Sequence, residues 1–250
     1  MIKSFYLNGT DNNKMYTELH LPDGDIKYFA LYASCFTCSI DYRSTKAITK
    51  TLNQYGIALL KFDFPGLGKS EGDFSKTNFS TNLENIRFAY NYLRDNYDAP
   101  RLLIGHSLGG AAMMRLYNEF SDSTALCVIA SPDSPDHLAK RLSKVEEEAK
   151  INGEGTAIIG GIEYKLQDHF FKDLRENAKF HDLESINKPV MVMYSPDDNA
   201  IEWEYVIRNF TDVRGHKSFI TLNNVGHLMM KEKDAFYVGE LISKWSEAYC

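Results

Sequence analysis

Apolar residues along this chain follow two kinds of spacing. Short apolar runs at Phe29 to Cys35, Ile57 to Phe62, Leu102 to Gly105, Ala125 to Ala130 and Val190 to Tyr194 predict strands covered on both faces. Lys3 to Asn8 and Met15 to Leu21 end in the turn signals Asn8-Gly9 and Pro22-Asp23-Gly24, which predicts an antiparallel lead-in. Ser218 to Leu222 is the last strand candidate. Between these runs the spacing becomes helical, over Tyr42 to Tyr55, Leu83 to Asn96, Ala111 to Phe120, Glu202 to Phe210 and Ala235 to Ala248. Strand and helix alternating in this way predict an α/β fold, a mostly parallel, doubly wound sheet of about eight strands with helices on both faces.

One region breaks the alternation. From Ser131 to Lys188 the chain does not return promptly to the sheet, although such connections are usually short. Leu138, Leu142, Val145 and Ala149 share one helical face, Ala157 to Tyr164 reads as a hairpin about Gly160-Gly161, and Leu166, Phe170, Phe171 and Leu174 give a second apolar helix face. A structured insertion at 133–187, after the sixth strand, is expected to act as a lid over a pocket, with a decorative surface subdomain as the competing reading.

The apolar run at Leu102 leads into Gly105-His106-Ser107-Leu108-Gly109. A G-x-S-x-G pattern arises by chance about once in ten chains of this length, so its position matters more than its presence. Here it sits where strand gives way to helix, as a nucleophile elbow requires, and glycines two residues either side of Ser107 remove the Cβ atoms that would collide in so sharp a turn.

Serine is a weak nucleophile that needs a base and a group to orient the base. Val190 to Tyr194 runs through Ser195-Pro196 into two acids, Asp197 and Asp198, and the last strand runs through Gly226 into His227. The order serine, acid, histidine, each beyond the carboxyl end of a strand, matches a hydrolytic triad on a doubly wound sheet. Of the seven histidines only His227 follows the last strand, while His181 and two others fall in or near the insertion. The N–H of Leu108 and that of Phe36, in the loop after Phe29 to Cys35, are the candidate oxyanion donors. Cys35, His106, Ser131, Phe170 and Phe171 are the candidate substrate-pocket residues.

Composition narrows the partners. The 250 residues suit one domain over 1–250, and a formal charge of -6 without a basic cluster argues against nucleic acid. No window reaches the length of a membrane span, and no signal-peptide pattern opens the chain, so a cytoplasmic location is expected. Cys35, Cys38, Cys127 and Cys250 form no disulfide framework, which suits a reducing compartment, and the Cys35-x-x-Cys38 spacing reads as loop packing with some sensitivity to oxidation. No set of metal ligands is spaced for binding, and no cofactor is required.

Together, Ser34-Cys35-Phe36-Thr37-Cys38-Ser39, Phe62-Asp63-Phe64-Pro65-Gly66-Leu67-Gly68-Lys69-Ser70-Glu71-Gly72, Gly105 to Gly110, Tyr194 to Asp198 and Gly226-His227 resemble the α/β hydrolase superfamily across essentially the whole chain. More narrowly, the chain is similar to the hydrolase half of bacterial proteins that carry an OsmC-type peroxide reductase domain after the hydrolase. The resemblance implies Asp198, rather than Asp197, as the acid. Ser34 stands where those relatives carry histidine, and no reductase domain follows within this sequence.

The expected activity is that of a serine carboxylesterase acting on small carboxylic esters or thioesters through an acyl-enzyme on Ser107. Acyl-CoA thioesterase, monoacylglycerol-type lipase and perhydrolase chemistry use the same residues, and a non-catalytic binding protein on this fold is the rival of another class. The oligomeric state is left open, a homodimer included.

Overall fold

The computed structural model describes residues 1–179 and 182–250, so His181 lies outside the described residues. In chain order the elements are β1 (Ile2–Asn8), β2 (Lys14–His20), β3 (Tyr28–Ala33), α1 (Arg43–Gln54), β4 (Ile57–Phe62), α2 (Phe79–Asn96), β5 (Leu102–His106), α3 (Leu108–Leu116) and β6 (Ala125–Ile129). The inserted region holds α4 (Asp136–Arg141), α5 (Ser143–Asn152), β7 (Glu154–Ile159), β8 (Ile162–Gln167) and α6 (Asp168–Ala178). The chain then completes the sheet with β9 (Val190–Tyr194), α7 (Trp203–Thr211), β10 (Lys217–Thr221) and α8 (Glu232–Ser246).

Eight strands form one sheet in the order β1-β2-β4-β3-β5-β6-β9-β10. The pairs β1 with β2 and β2 with β4 are antiparallel, and every later pair is parallel. Alternate residues of the inner strands enter two separate cores, as a period of two requires. Phe29, Leu31, Leu60, Leu103, Val128 and Val192 pack with α2 and α3 on one face. Tyr28, Ala30, Leu59, Ile104, Cys127 and Met191 pack with α1 and α8 on the other. Burial on both faces explains why these strands read as mostly apolar runs in sequence. From β3 the chain moves outward to β4, and it later returns to place β5 on the other side of β3. That reversal opens a crevice at the carboxyl ends of β3 and β5, where ligands of open α/β sheets bind.

The insertion departs from its expected form in two ways. Leu138 to Ala149 is two helices, because the backbone leaves helical geometry at Leu142 (φ -99°, ψ 27°). Leu166 belongs to β8 and not to the helix that follows it. The hairpin of β7 and β8 turns on Gly160 and Gly161, whose φ values of 60° and 81° suit a tight two-residue connection that other side chains adopt with strain.

Candidate active site

Ser107 stands between the end of β5 and the start of α3, with φ 54° and ψ -123°. The neighbouring glycines explain how so strained a turn is packed. A Cβ at Gly105 would lie 2.4 Å from the Gly110 Cα, and one at Gly109 would lie 2.3 Å from the Ser34 carbonyl oxygen. Any side chain at either position would force the turn open.

The acid and the histidine come from the loops after β9 and β10. Nδ1 of His227 lies 2.8 Å from Oδ2 of Asp198, and Oδ1 of Asp198 accepts the N–H groups of Ala200 at 2.7 Å and Ile201 at 3.1 Å. The Asp198 side chain is fully buried. Burial by itself pushes its carboxyl up, but the His227 contact and the two N–H donors outweigh burial and hold it below the usual carboxylate range. Asp197 turns elsewhere and accepts the N–H of Asn224 at 2.6 Å.

Ser107, Leu108 and His227 line a cavity of about 660 Å³, within the usual range for small-molecule sites. The loop after β3 adds Cys35, Phe36, Thr37 and Cys38, and the insertion adds His137, Leu138, Arg141, Leu142, Ile158 and Ile159. Leu108 opens α3, so its N–H has no acceptor within the helix, and Phe36 lies across the same cavity. Ser107 Oγ makes no hydrogen bond among the described residues. Such contacts commonly tighten only when substrate is bound.

Four of the five expected pocket residues lie off the cavity wall, and only Cys35 lines it. His106 is buried, with Nε2 2.9 Å from the backbone carbonyl of His227. Burial first, and the nearby His227 ring second, push its pKa down to about 3, so it is a neutral imidazole donating to that carbonyl. Ser131 is fully buried behind Gly110. Phe170 and Phe171 are core residues, and Phe170 reaches the site only by packing on Phe36, with ring centroids 5.5 Å apart. Truncating Phe170 would cost about 3–5 kcal/mol of folding stability, so its loss tests packing before it tests selectivity.

The cysteines also require correction. Cys35 and Cys38 form a disulfide across 5.2 Å between Cα atoms, while Cys127 and Cys250 are free. The turn explains the pairing, since the N–H of Cys38 bonds the carbonyl of Cys35 at 3.1 Å and Thr37 takes a φ of 63°, which folds the two side chains together. The free-thiol argument for a reducing compartment therefore loses half of its cysteines.

The loop that carries Phe36 is clamped from below. Asp63 Oδ1 accepts the N–H of Ile40 at 2.7 Å, and the buried Lys61 donates to the Ile40 carbonyl at 3.2 Å while pairing with Glu18 at 3.1 Å. Lys61 escaped notice in the sequence because a single charge within a run assigned to a buried strand carries no sign of its partners. Arg141 and His137 escaped because a short helix with mixed polarity gives no directional signal.

Residues 41–146 match the family model described as serine aminopeptidase, S33. The esterase domain of a Rhodothermus marinus protein superposes with a TM-score of 0.79 at 31% identity, over 100% of this chain and 99% of that one. The chain belongs to the α/β hydrolase superfamily. Est1E of Butyrivibrio proteoclasticus, solved with ferulic acid bound, superposes at TM-score 0.77 and 20% identity over 98% of each chain. Human palmitoyl-protein thioesterase ABHD10, mitochondrial, is 21% identical over 80% of this chain and 68% of its own length. Among the described residues no cluster of metal-ligating side chains occurs. Nor is any described helix long and apolar enough to cross a membrane.

Proposed function

We propose that the protein is an esterase that also accepts thioesters, with Ser107 as nucleophile, His227 as base and then acid, and Asp198 as the group that orients His227. Ser107 Oγ attacks the acyl carbon and its proton passes to Nε2 of His227. The N–H groups of Phe36 and Leu108 hold the developing oxyanion. As the bond to the leaving group breaks, His227 returns the proton to the departing oxygen or sulfur. Water then repeats the sequence and releases the acid. The observation that carries this reading is the Asp198 carboxylate, pinned by two backbone N–H groups and aimed at His227 beside an elbow serine.

The thioester arm rests on the apolar wall formed by Phe36, Leu138, Leu142 and Ile159, and on similarity to a relative named as a palmitoyl-protein thioesterase. The insertion, which supplies much of that wall, is proposed to act as the lid that sets acyl preference. A fluorophosphonate should label Ser107 and nothing else. Ser107→Ala should fold normally, resist the label and lose at least about 10⁴ in kcat against p-nitrophenyl esters of graded length and matched acyl-CoA thioesters. Retained turnover in folded Ser107→Ala would remove the assignment.

A further inference from the structure

The cavity over Ser107 contains one fixed positive charge that acyl transfer leaves unused. Arg141 is the last residue of α4 and lines this cavity. Among the described residues no acidic side chain lines it, although the protein as a whole carries a charge of -6. The hydrogen bond of Glu202 runs to His137 at 2.7 Å and, with a smaller contribution from the nearby Arg141, holds its carboxyl below the usual range, and Asp136 on the same helix as Arg141 pairs with Lys140 at 2.8 Å. Arg141 itself forms no ion pair among the described residues. Its one hydrogen bond there runs from Nη1 to the Ala200 carbonyl at 3.2 Å, which leaves the edge formed by Nε and Nη2 open. That edge matches the two oxygens of a carboxylate, a geometry an ammonium cannot reproduce.

We propose that the preferred substrates are esters bearing a second, carboxylate group, which Arg141 grips while Ser107 attacks the ester carbon. The inference rests on the acyl-enzyme reading of Ser107. A purely structural role competes with it, because Arg141 holds Ala200, and the N–H of Ala200 holds Asp198. The two roles differ in what they change. A strut alters kcat for every ester alike, whereas carboxylate recognition alters the ratio between charged and neutral esters.

Two matched pairs measure that ratio. 4-Acetoxybenzoate against 4-acetoxybenzamide places the charge on the alcohol side, and the phenyl half-ester of adipic acid against its monoamide places it on the acyl side. Wild-type enzyme should favour the carboxylate member of at least one pair by about tenfold in kcat/KM. In Arg141→Gln the ratio should fall to about one, and Arg141→Lys should restore part of it. Because Arg141 is exposed, the wild-type preference should also shrink with added salt, a readout that needs no variant. Equal ratios in wild type and Arg141→Gln, with the neutral esters turned over, would overturn the inference and leave the Ser107 reading standing. Failure of wild type to cleave any of the four esters or to take the fluorophosphonate would end both.

Discussion

Asp197 and Asp198 follow the same strand and carry the same group, yet the chain gives them different surroundings. Spacing alone does not separate them, because the distinction lies in which backbone N–H groups each one meets. Asp198 meets Ala200, Ile201 and the His227 ring, whereas Asp197 meets Asn224. Asp198→Asn should therefore lower kcat by about 10⁴ with little loss of fold, since an amide no longer fixes the imidazole tautomer. Asp197→Asn should leave kcat within a few-fold and lower stability by about 1–2 kcal/mol. Steady-state kinetics on both variants, with thermal melts as the control, checks the pair. The reverse ranking would move the acid to Asp197. Ser107, His227 and the two acids were legible because strand ends and glycines mark them. The place of Arg141 on the cavity wall was not, since it depends on which way a six-residue helix faces.

Among the elements, the loop after β3 differs most from its sequence reading. A disulfide joins Cys35 to Cys38 around the residue whose N–H is proposed to hold the oxyanion. The link constrains the turn locally, so its loss should disturb donor placement far more than global stability. A dithiol reductant should lower ester turnover several-fold in wild type while shifting Tm only slightly. The variant carrying Cys35→Ser and Cys38→Ser should be insensitive to it. Wild-type activity that does not change when both thiols are shown by alkylation to be free would discard this expectation. The strands were readable because burial on both faces leaves a mostly apolar run. Two helix boundaries were not. The break at Leu142 lacks glycine or proline and preserves the apolar period on either side. α2 starts one turn ahead of Leu83, at the buried Phe79, from a reciprocal cap between Asn78 and Thr81, and the polar Ser80, Thr81 and Asn82 separate its first two apolar positions.

Over the whole molecule, two groups with lowered pKa values make the fold sensitive to acid. His106 stays neutral in the folded state down to about 3, against an ordinary value of 6.5. Between those values the unfolded chain binds a proton that the native state refuses, so stability falls as pH drops through that window, by at most about 1.4 kcal/mol per pH unit from this residue. Glu18 adds loss in the same direction at lower pH. Burial raises its carboxyl, but His20 and Lys61 more than reverse this and bring it to about 2 from 4.5. Denaturant melts from pH 7 to pH 4 should show a shallower decline for His106→Gln than for wild type. Parallel slopes would show that His106 takes up its proton in the native state as it does in the unfolded chain.

The contact at Gly109 has a further consequence. Ala33 ends one strand and Ser34 follows it, Gly109 lies in the first turn of a helix more than seventy residues later, and their backbones touch where a single methyl group would not fit. One proposed oxyanion donor lies just beyond Ser34 and the other just before Gly109. Their separation is thus gauged by two main chains in direct contact, with no side chain as a spacer between them. Changes of volume elsewhere in the core can slide the sheet or tilt the outer helices, yet this dimension of the site has no compressible part through which to drift.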